Sequence, residues 1–245
     1  MTRTVSGKVE GRAIILTGAS SGIGRATAEL FVAEGARVGL LDLDGPMLSA
    51  LSKKLSMPAA SCDLGDRDAT KQAVDRLGNA LGRIDGVVHC AGVAFPARLE
   101  DTTDAQWETT IDINLNGAFR ICKAALPWLK RETSATIVTV ASAQGLLPNL
   151  PGASAYAASK AGLIGFTKAL AAELGPAIRA NVLCPGLTRT PMAPVDTASA
   201  VVANYALKRI AEADEMARSL LFLSSEESSF ITGVALAADG GRTYH

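Results

Sequence analysis

The sequence predicts an α/β fold in which a doubly wound parallel sheet is covered by helices on both faces, giving three layers. Short β-branched, apolar runs alternate with longer amphipathic stretches along the chain. Several of these runs are apolar at nearly every position, as strands buried on both faces are. The chain has 245 residues, 48% of them hydrophobic. Because no Pro/Ser-rich linker or internal repeat divides it, we expect one domain over residues 1–245.

Seven strands and six helices account for this alternation. The strands are predicted in RAIILTG, ARVGLLDLD, PAASCDL, DGVVHCAG, ATIVTVAS, IRANVLCPG and GVALAADGG. The helices are predicted approximately over Gly22 to Glu34, Pro46 to Leu55, Arg67 to Leu81, Thr103 to Arg131, Ala153 to Leu174 and Asp214 to Leu223. In such sheets a ligand binds beyond the carboxyl ends of the strands. The loops after strands one, two, four, five and six should therefore form the site.

Composition excludes several classes of function. The formal net charge is zero and no long Lys/Arg run is present, which argues against nucleic acid and anionic membranes as partners. No secretion signal or membrane-spanning segment is recognisable, so a cytosolic location is expected. The four cysteines are far apart and contain no C-x-x-C pair, so we predict buried free thiols and no metal site. A small-molecule ligand fits this composition better than nucleic acid or a membrane does.

The loop TGASSGIG follows the first predicted strand and leads into a helix. Gly18, Gly22 and Gly24 allow a tight turn and a close approach to a ligand, and the helix N-terminus offers free N–H groups to a pyrophosphate. The spacing differs from G-x-G-x-x-G, because three residues separate the first two glycines. A glycine/serine turn without a ligand is the alternative.

The acidic end of the second strand, LLDLD, indicates which dinucleotide is preferred. Asp42 lies about twenty residues past the glycine loop, where an acid that binds ribose hydroxyls is expected. Its charge would repel a 2′-phosphate, and the glycine loop carries Ser20 and Ser21 where a cation could pair with one. NAD is therefore favoured over NADP. Asp44 is the rival acid, and a turn or helix-capping role for either is the alternative.

The segment YAASK places a phenol and an ammonium four residues apart. On a helix, Tyr156 and Lys160 would share one face. The phenol titrates near 10 in solution, and a nearby cation favours phenolate, which could serve as a base. Taken by itself, the spacing also occurs by chance on solvated helices.

An ordered series of motifs resembles the short-chain dehydrogenase/reductase family over nearly the whole chain. It consists of TGASSGIG, CDL at 62–64, CAG at 90–92, INLNG at 113–117, VASAQG at 140–145, YAASK at 156–160 and PGLTRT at 185–190. The resemblance implies a Rossmann-type oxidoreductase that interconverts an alcohol and a carbonyl with a nicotinamide cofactor. It also implies a homotetramer.

The family's catalytic set falls on Asn114, Ser142, Tyr156 and Lys160. Tyr156 is expected to be the base in oxidation and the acid in reduction, with Lys160, helped by oxidised nicotinamide, favouring its phenolate. Ser142 is expected to hydrogen-bond the substrate oxygen. The resemblance also gives Lys160 a contact with ribose, and gives Asn114 a helix irregularity and a water that links the lysine to solvent.

Alternatives and one departure accompany this set. Ser154 or Ser159 could take the role of Ser142, and Asn116 stands beside Asn114. Where the family commonly has two asparagines, this chain has His89 and Cys90. We expect a main-chain contact with the adenosine ribose to survive there. A histidine that ends a buried strand is more often structural, so His89 is not predicted to be catalytic.

The resemblance extends the site to cofactor and substrate contacts. Asp63 and Leu64 match the adenine contacts, and Thr188 and Thr190 match a clasp on the nicotinamide carboxamide. The predicted cofactor set is Gly18, Ser20, Ser21, Gly22, Ile23, Gly24, Asp42, Leu43, Asp63, Leu64, Cys90, Ala91, Gly92, Tyr156, Lys160, Pro185, Gly186, Thr188 and Thr190. A lid is expected over approximately 187–210. The predicted substrate contacts are Ser142, Gln144, Leu146, Leu147, Tyr156, Leu187, Met192 and Val195.

These features predict an NAD(H)-dependent oxidoreductase that interconverts a medium-sized, partly apolar secondary alcohol and its ketone. Reduction of a 3-oxoacyl thioester, carried by acyl carrier protein or CoA, is the alternative within the same family. A non-catalytic NAD-binding regulator and a scaffold protein are less consistent with the sequence. Neither would have reason to combine the glycine loop, the ribose acid and the Tyr–Lys pair.

Overall fold

The computed structural model describes residues 7–43, 45–193 and 202–243. Its centre is a seven-stranded parallel sheet in the order β3-β2-β1-β4-β5-β6-β9. The strands are β1 Ala13–Thr17, β2 Arg37–Asp42, β3 Ala59–Ser61, β4 Gly86–His89, β5 Ala135–Val140, β6 Ile178–Pro185 and β9 Ala235–Ala238. Two further strands, β7 Thr188–Arg189 and β8 Ala211–Glu212, form a separate parallel pair. All seven predicted strands are confirmed, whereas the pair β7–β8 was not predicted.

Helices cover both faces of the sheet. They are α1 Gly22–Ala33, α2 Gly45–Leu55, α3 Arg67–Leu81, α4 Asp104–Ile111, α5 Gly117–Leu129, α6 Ala143–Leu146, α7 Ser154–Leu174 and α8 Ala213–Ser224. On one face, residues of α3, α5 and α7 pack on the sheet through Leu77, Ile121 and Ala171. On the other face, residues of α1, α2 and α8 do so through Phe31, Leu51 and Leu220. The predicted three-layer, doubly wound class is confirmed.

The helix predicted over Thr103 to Arg131 is interrupted. After α4, residues Asp112–Asn116 form a π-helical turn, and α5 then continues to Leu129. The start of α4 is fixed by a capping box between Thr103 and Gln106. π-Helical turns contain one extra residue per turn and occur frequently at functional sites.

The strand order places the site. β2 lies on one side of β1 and β4 lies on the other, so the chain crosses the sheet in opposite directions from β1. A crevice opens at such a switch point, beyond the carboxyl ends of the strands. In the described parts of the chain, no helix has the length and apolarity needed to span a bilayer. The same residues contain no cluster of three potential metal ligands.

Candidate active site

The glycine loop between β1 and α1 is packed too tightly for larger residues. Gly18 has φ 66°, and a Cβ added there would lie 2.7 Å from the Ala91 nitrogen. A Cβ at Gly24 would lie 1.9 Å from the Gly18 oxygen. Ser21 precedes α1 without capping it through its side chain, so the N–H groups of the first turn keep the capacity to bind an anion.

A buried hydroxyl in the same loop also lacks a partner. Ser20 is 3% exposed, and its Oγ has no hydrogen-bond partner among the described residues. Because buried polar atoms are nearly always paired, this oxygen is suited to a ligand. The crowded glycines, uncapped helix and unpaired hydroxyl together fit a pyrophosphate.

Asp42 ends β2 beside this loop. Its Oδ2 accepts a hydrogen bond from the Ser20 backbone N–H at 2.8 Å, and its Oδ1 accepts one from the Leu43 N–H at 2.7 Å. A carboxylate has about four acceptor positions, so it can still accept ribose hydroxyls. The bond to Ser20 joins the predicted ribose acid directly to the phosphate loop. The rival Asp44 lies outside the described residues.

The predicted adenine contacts follow β3. Asp63 Oδ1 accepts from the Gly65 N–H at 2.8 Å, and Leu64 is 5% exposed within the core. Arg120 donates to the Leu64 carbonyl at 2.9 Å and forms an ion pair with Asp112 at 2.7 Å. This loop is therefore tied to the π-helical turn, although Asp63 stays a predicted adenine contact.

The contacts of His89 with the described residues indicate a structural role. It is fully buried, and its Nδ1 lies 2.9 Å from the Thr17 hydroxyl, which also accepts from the Ala91 N–H at 3.2 Å. Burial, followed by the charge of Lys160, lowers the pKa of His89 to about 3. Such an imidazole is a poor base, which agrees with its omission from the catalytic set. The pair instead holds the Cys90–Gly92 loop against the glycine loop.

Asn114 is fully buried in the π-helical turn. Its Oδ1 accepts from the Val93 N–H at 2.8 Å, and its Nδ2 donates to the Val93 carbonyl at 2.9 Å and to Ser159 Oγ at 3.0 Å. The helix irregularity implied by the family resemblance is present at this position. Asn116 instead bonds Asp112 on the surface. Asn114 therefore joins the β4 loop to α7, and its proposed water remains a prediction.

Tyr156, Lys160 and Ser142 meet at the start of α7. The Lys160 Nζ lies 5.6 Å from the centroid of the Tyr156 ring and donates to the Val140 carbonyl at 2.9 Å. Ser142 follows β5 and is the hydrogen-bonding partner of the phenol. Ser159, the rival of Ser142, is committed to Asn114 and donates to the Tyr156 carbonyl at 2.8 Å. Ser154 is exposed, so the geometry favours Ser142.

Burial dominates the electrostatics of this pair in the protein without a ligand. Burial raises the pKa of the Tyr156 phenol, and the hydrogen bond from Ser142 only partly offsets it. Burial also lowers the pKa of Lys160 to about 8. In the protein without a ligand, Lys160 does not bring the pKa of Tyr156 below its ordinary value, because burial of the phenolate is the larger effect and the ammonium bonds Val140. The expected stabilisation of the phenolate by Lys160 together with oxidised nicotinamide stays a prediction.

Gly92 lies close against Lys160 and Asn114. A Cβ at Gly92 would lie 3.2 Å from Lys160 Nζ and 3.1 Å from Asn114 Oδ1. Val140 is the one hydrogen-bond partner that the described residues give to this ammonium, which has three donors. The remaining donors of Lys160 could bind an acceptor such as a ribose hydroxyl.

The loop after β6 covers the glycine loop. A Cβ at Gly22 would lie 3.1 Å from Thr190 Cγ2, so Thr190 packs over the start of α1. Thr188 is 5% exposed and donates to the Gly186 carbonyl at 3.1 Å. The apolar residues predicted to contact substrate are more open, with Leu147 47% and Met192 53% exposed. Val195, also predicted there, lies outside the described residues.

Two residues near the predicted substrate contacts were not identified from the sequence. The Tyr205 hydroxyl accepts from the Leu187 N–H at 2.9 Å, and Arg242 donates to the Leu147 carbonyl at 2.9 Å. Neither belongs to a motif. Both contacts join segments that are distant in sequence, so no local pattern signals them.

A cavity lies behind this loop. It measures about 600 Å³ and is lined by residues that include Leu187, Tyr205, Met216 and Asp239. Tyr156 and Lys160 do not line it. The polar groups suited to proton transfer therefore lie outside this cavity.

Comparison with known proteins agrees with this geometry. A family model described as Enoyl-(Acyl carrier protein) reductase matches residues 18–243. A 3-oxoacyl-[acyl-carrier-protein] reductase of Thermotoga maritima is 37% identical over 243 residues, which are 96% of this chain and 98% of the relative. The crystal structure of a short-chain dehydrogenase/reductase from Brucella melitensis, titled a glucose/ribitol dehydrogenase, matches with a TM-score of 0.92 and 35% identity. The match covers 97% of this chain and 99% of that one.

Fold and site thus define a dinucleotide-binding α/β oxidoreductase. The chain belongs to the short-chain dehydrogenase/reductase family, whose members bind a nicotinamide cofactor. Its structural neighbours include a carveol dehydrogenase of Mycobacterium avium in complex with NAD, with a TM-score of 0.91, 31% identity and coverage of 98% of this chain and 100% of that one. They also include a blue fluorescent protein from a metagenomic library in complex with NADPH, with a TM-score of 0.92, 30% identity and coverage of 96% and 99%.

Proposed function

We propose that this chain is an NAD(H)-dependent oxidoreductase that interconverts a secondary alcohol and a ketone, with Tyr156 as general acid and base. The observation that carries the proposal is the convergence of Tyr156, Ser142 and Lys160 beside a phosphate-binding loop. These groups supply what hydride chemistry at a carbinol carbon needs from a protein. A bound nicotinamide supplies the hydride acceptor or donor.

Tyr156 moves the proton. In reduction, its O–H donates to the carbonyl oxygen as that oxygen gains charge; in oxidation, the phenolate takes the proton from the alcohol. The raised pKa of the free phenol suits the acid role at neutral pH, because the group then carries its proton. The oxidative direction requires the phenolate to be stabilised, and the Lys160 charge near the ring acts in that direction.

Ser142 and Lys160 support this step. The Ser142 hydroxyl is positioned to hydrogen-bond the substrate oxygen together with Tyr156, which stabilises the developing alkoxide. Lys160 is proposed to bind ribose through donors that do not bond Val140. Asn114 is proposed to hold the β4 loop and α7 in register, so that Lys160 faces Gly92.

Asp42 supports the preference for NAD(H). Its carboxylate stands beside the glycine loop through the bond to Ser20, where it can accept from both ribose hydroxyls. A 2′-phosphate in the same place would meet a like charge. Because the neighbouring structures hold either cofactor, this residue is the basis of our choice.

The test combines a substrate screen with matched variants. Purified protein is mixed with NAD(H) or NADP(H) and a panel of secondary alcohols and ketones, and NAD(P)H absorbance is followed. We expect turnover with NAD(H) and loss of turnover in Lys160→Met. Lys168→Met, an exposed lysine on the same helix, should leave turnover unchanged. Unimpaired turnover by Lys160→Met would contradict the proposed role.

A second candidate is reduction of a 3-oxoacyl thioester. The Thermotoga maritima relative carries that activity in its name at 37% identity. Tyr156 and Ser142 would act on the 3-oxo group in the same way as on a free ketone. The two candidate functions therefore differ in the residues that contact the rest of the substrate, and not in the chemistry. Acetoacetyl-CoA and an acyl carrier protein thioester belong in the panel. A kcat/KM for either thioester that exceeds the kcat/KM for every free ketone would favour this candidate.

A homotetramer and a cytosolic location complete the proposal. Exposed aromatic residues on the helical surface, including Trp107 at 42% and Phe119 at 46% exposure, are consistent with contacts between copies. Light scattering coupled to gel filtration tests the assembly. A mass of one chain would reject it.

A further inference from the structure

The C-terminal turn after β9 is anchored by a buried carboxylate. Asp239 is 5% exposed; its Oδ1 accepts from the Gly241 and Arg242 N–H groups at 2.9 and 3.1 Å, and its Oδ2 from the Thr243 hydroxyl at 2.6 Å. Burial acts to raise the pKa of Asp239, but these hydrogen bonds outweigh it and lower the pKa. The backbone of Arg242 is therefore fixed at the edge of the sheet.

From this turn, Arg242 reaches the loop that follows β5. Its Nη2 donates to the Leu147 carbonyl at 2.9 Å and also bonds Asn149 Oδ1. The Asn149 N–H in turn donates to Gln144 Oε1 at 3.1 Å. The guanidinium thus bonds Leu147 and Asn149 directly and is linked to Gln144 through Asn149. These residues belong to the loop that carries the proposed substrate contacts Gln144, Leu146 and Leu147.

The same turn also contacts the opposite wall. The Leu207 N–H donates to the Gly240 carbonyl at 3.0 Å, and Tyr205 lies against Gly240 and Gly186. The Tyr205 hydroxyl accepts from the Leu187 N–H. The residues Asp239–Thr243 therefore connect both sides of the proposed substrate site.

Exposure decides what the Arg242 contact does. Leu147 is 47% exposed, so apolar packing alone does not fix its position. Arg242 is only partly buried, and water can replace its bonds when it is removed, so the contact contributes little to stability. It instead restricts where the Leu147 backbone lies. A lysine can keep the charge but not the planar, rigid guanidinium whose Nη2 binds both oxygens.

We infer that Arg242 is a positioning residue that sets substrate selectivity by fixing the loop from Gln144 to Asn149. The inference rests on the proposed function, because these residues are substrate contacts only if Tyr156 performs the chemistry. Arg242 itself touches neither the reacting atoms nor the cofactor loops described above. Its removal should change which substrates fit, and leave cofactor use intact.

The test compares Arg242→Ala, Arg242→Lys and the control Arg131→Ala. Arg131 is an exposed arginine over the Trp128 ring, just past the end of α5. kcat/KM is measured for a homologous series of 2-ketones and 2-alcohols, and KM is measured for NAD(H). Arg242→Ala should change the ratio of kcat/KM between long and short substrates by about fivefold or more, with KM for NAD(H) within about twofold. Arg242→Lys should restore part of the wild-type ratio, and Arg131→Ala should match wild type.

A second measurement does not depend on turnover. Amide hydrogen exchange over residues 144–150 should accelerate by about tenfold in Arg242→Ala, while peptides of α3 stay unchanged. If Arg242→Ala does not fold, Asn149→Ala removes the other end of the contact and takes its place in both measurements. An unchanged substrate ratio in an active protein would overturn the inference. Absence of wild-type turnover, together with accelerated exchange in the variant, would instead overturn the proposed function.

Discussion

The loops after β1, β2 and β4 differ from those after β5 and β6 in what holds them. On the cofactor side, contacts are between backbones and buried polar groups: Gly18 packs on Ala91, Asp42 bonds the Ser20 N–H, and Thr17 bonds His89. On the substrate side, Leu147 and Met192 are about half exposed and are joined to the rest by few bonds. This comparison teaches that close packing fixes the loops on the cofactor side, which carry the family's motifs. The loops on the substrate side are less constrained and can vary more.

The largest effect is expected for Tyr156, which we place between the cofactor side and the substrate side of the site. Tyr156→Phe removes the proton donor and acceptor but keeps the ring, so kcat should fall by about 10³-fold, within the range for general acid–base catalysis. Cofactor affinity, measured by quenching of protein fluorescence or by calorimetry, should stay within about threefold. Turnover equal to wild type would contradict the assignment of Tyr156.

On the cofactor side, crowding should have the second largest effect. Gly18→Ala places a methyl group 2.7 Å from the Ala91 nitrogen at φ 66°, so NAD(H) affinity should fall by about 100-fold as the loops separate. Gly82→Ala is the matched control, with φ 79° and no atom within 4 Å of its added Cβ. It should lose about 1 kcal/mol of stability and no affinity. Equal affinities for both variants would show that the close approach is unimportant.

The pH dependence of the free enzyme follows from the two shifted groups. For oxidation, Tyr156 must be deprotonated and its pKa is raised, so kcat/KM should increase about tenfold per pH unit through neutrality. Lys160 must be charged and its pKa is about 8, so the increase should level off above about pH 8. Steady-state rates at subsaturating cofactor and alcohol, which report on the free enzyme, measure this profile. An oxidation rate that is constant between pH 6 and 8 would contradict it.

Asp42→Ala should have a smaller effect, confined to the choice of cofactor. Removal of the carboxylate abolishes both the ribose hydrogen bonds and the repulsion of a 2′-phosphate. The ratio of kcat/KM for NAD to that for NADP should fall by about tenfold, the size of one lost charge interaction. Asp63→Ala, at the predicted adenine contact, should lower both values together. An unchanged ratio in Asp42→Ala would disprove the ribose assignment.

The smallest effect is expected on the substrate side. Leu147→Ala shortens an exposed apolar side chain, so KM for bulky ketones should change by about threefold and KM for NAD(H) should not change. Comparison of KM values for small and bulky ketones measures the effect. A loss of cofactor affinity in this variant would remove the distinction between the cofactor side and the substrate side.

The sequence predicted the parts of this molecule that local constraints determine. The glycine loop, Asp42 and the Tyr–Lys spacing depend on residue type and short spacing, and the structure brings all three to one end of the sheet. The apolar pattern over Thr103 to Arg131 predicted one continuous helix, because it continues through the π-helical turn; only the family resemblance indicated an irregularity at Asn114. The pair β7–β8 was missed because each strand is two residues long and its partner lies far along the chain.

The electrostatics and the substrate wall were harder to predict. The pKa of Tyr156 depends on how deeply the phenol is buried and on its hydrogen bond with Ser142, which no spacing reveals. Tyr205 and Arg242 act through contacts between distant segments. Residue types predicted the chemistry, whereas the balance between competing interactions required the three-dimensional arrangement.

The widened turn between α4 and α5 makes this stretch unusually sensitive to insertions and deletions. Deletion of one residue within Asp112–Asn116 would allow a regular α-helical turn to form, while α4 and α5 would keep nearly the same faces, because the wide turn accommodates the extra residue. Asn114 would then lose the wide turn that holds its side chain at Val93, although the chain could keep its full helical content. Evolution can therefore lengthen or shorten exposed loops of this protein far more freely than it can change the residue count of this one helix.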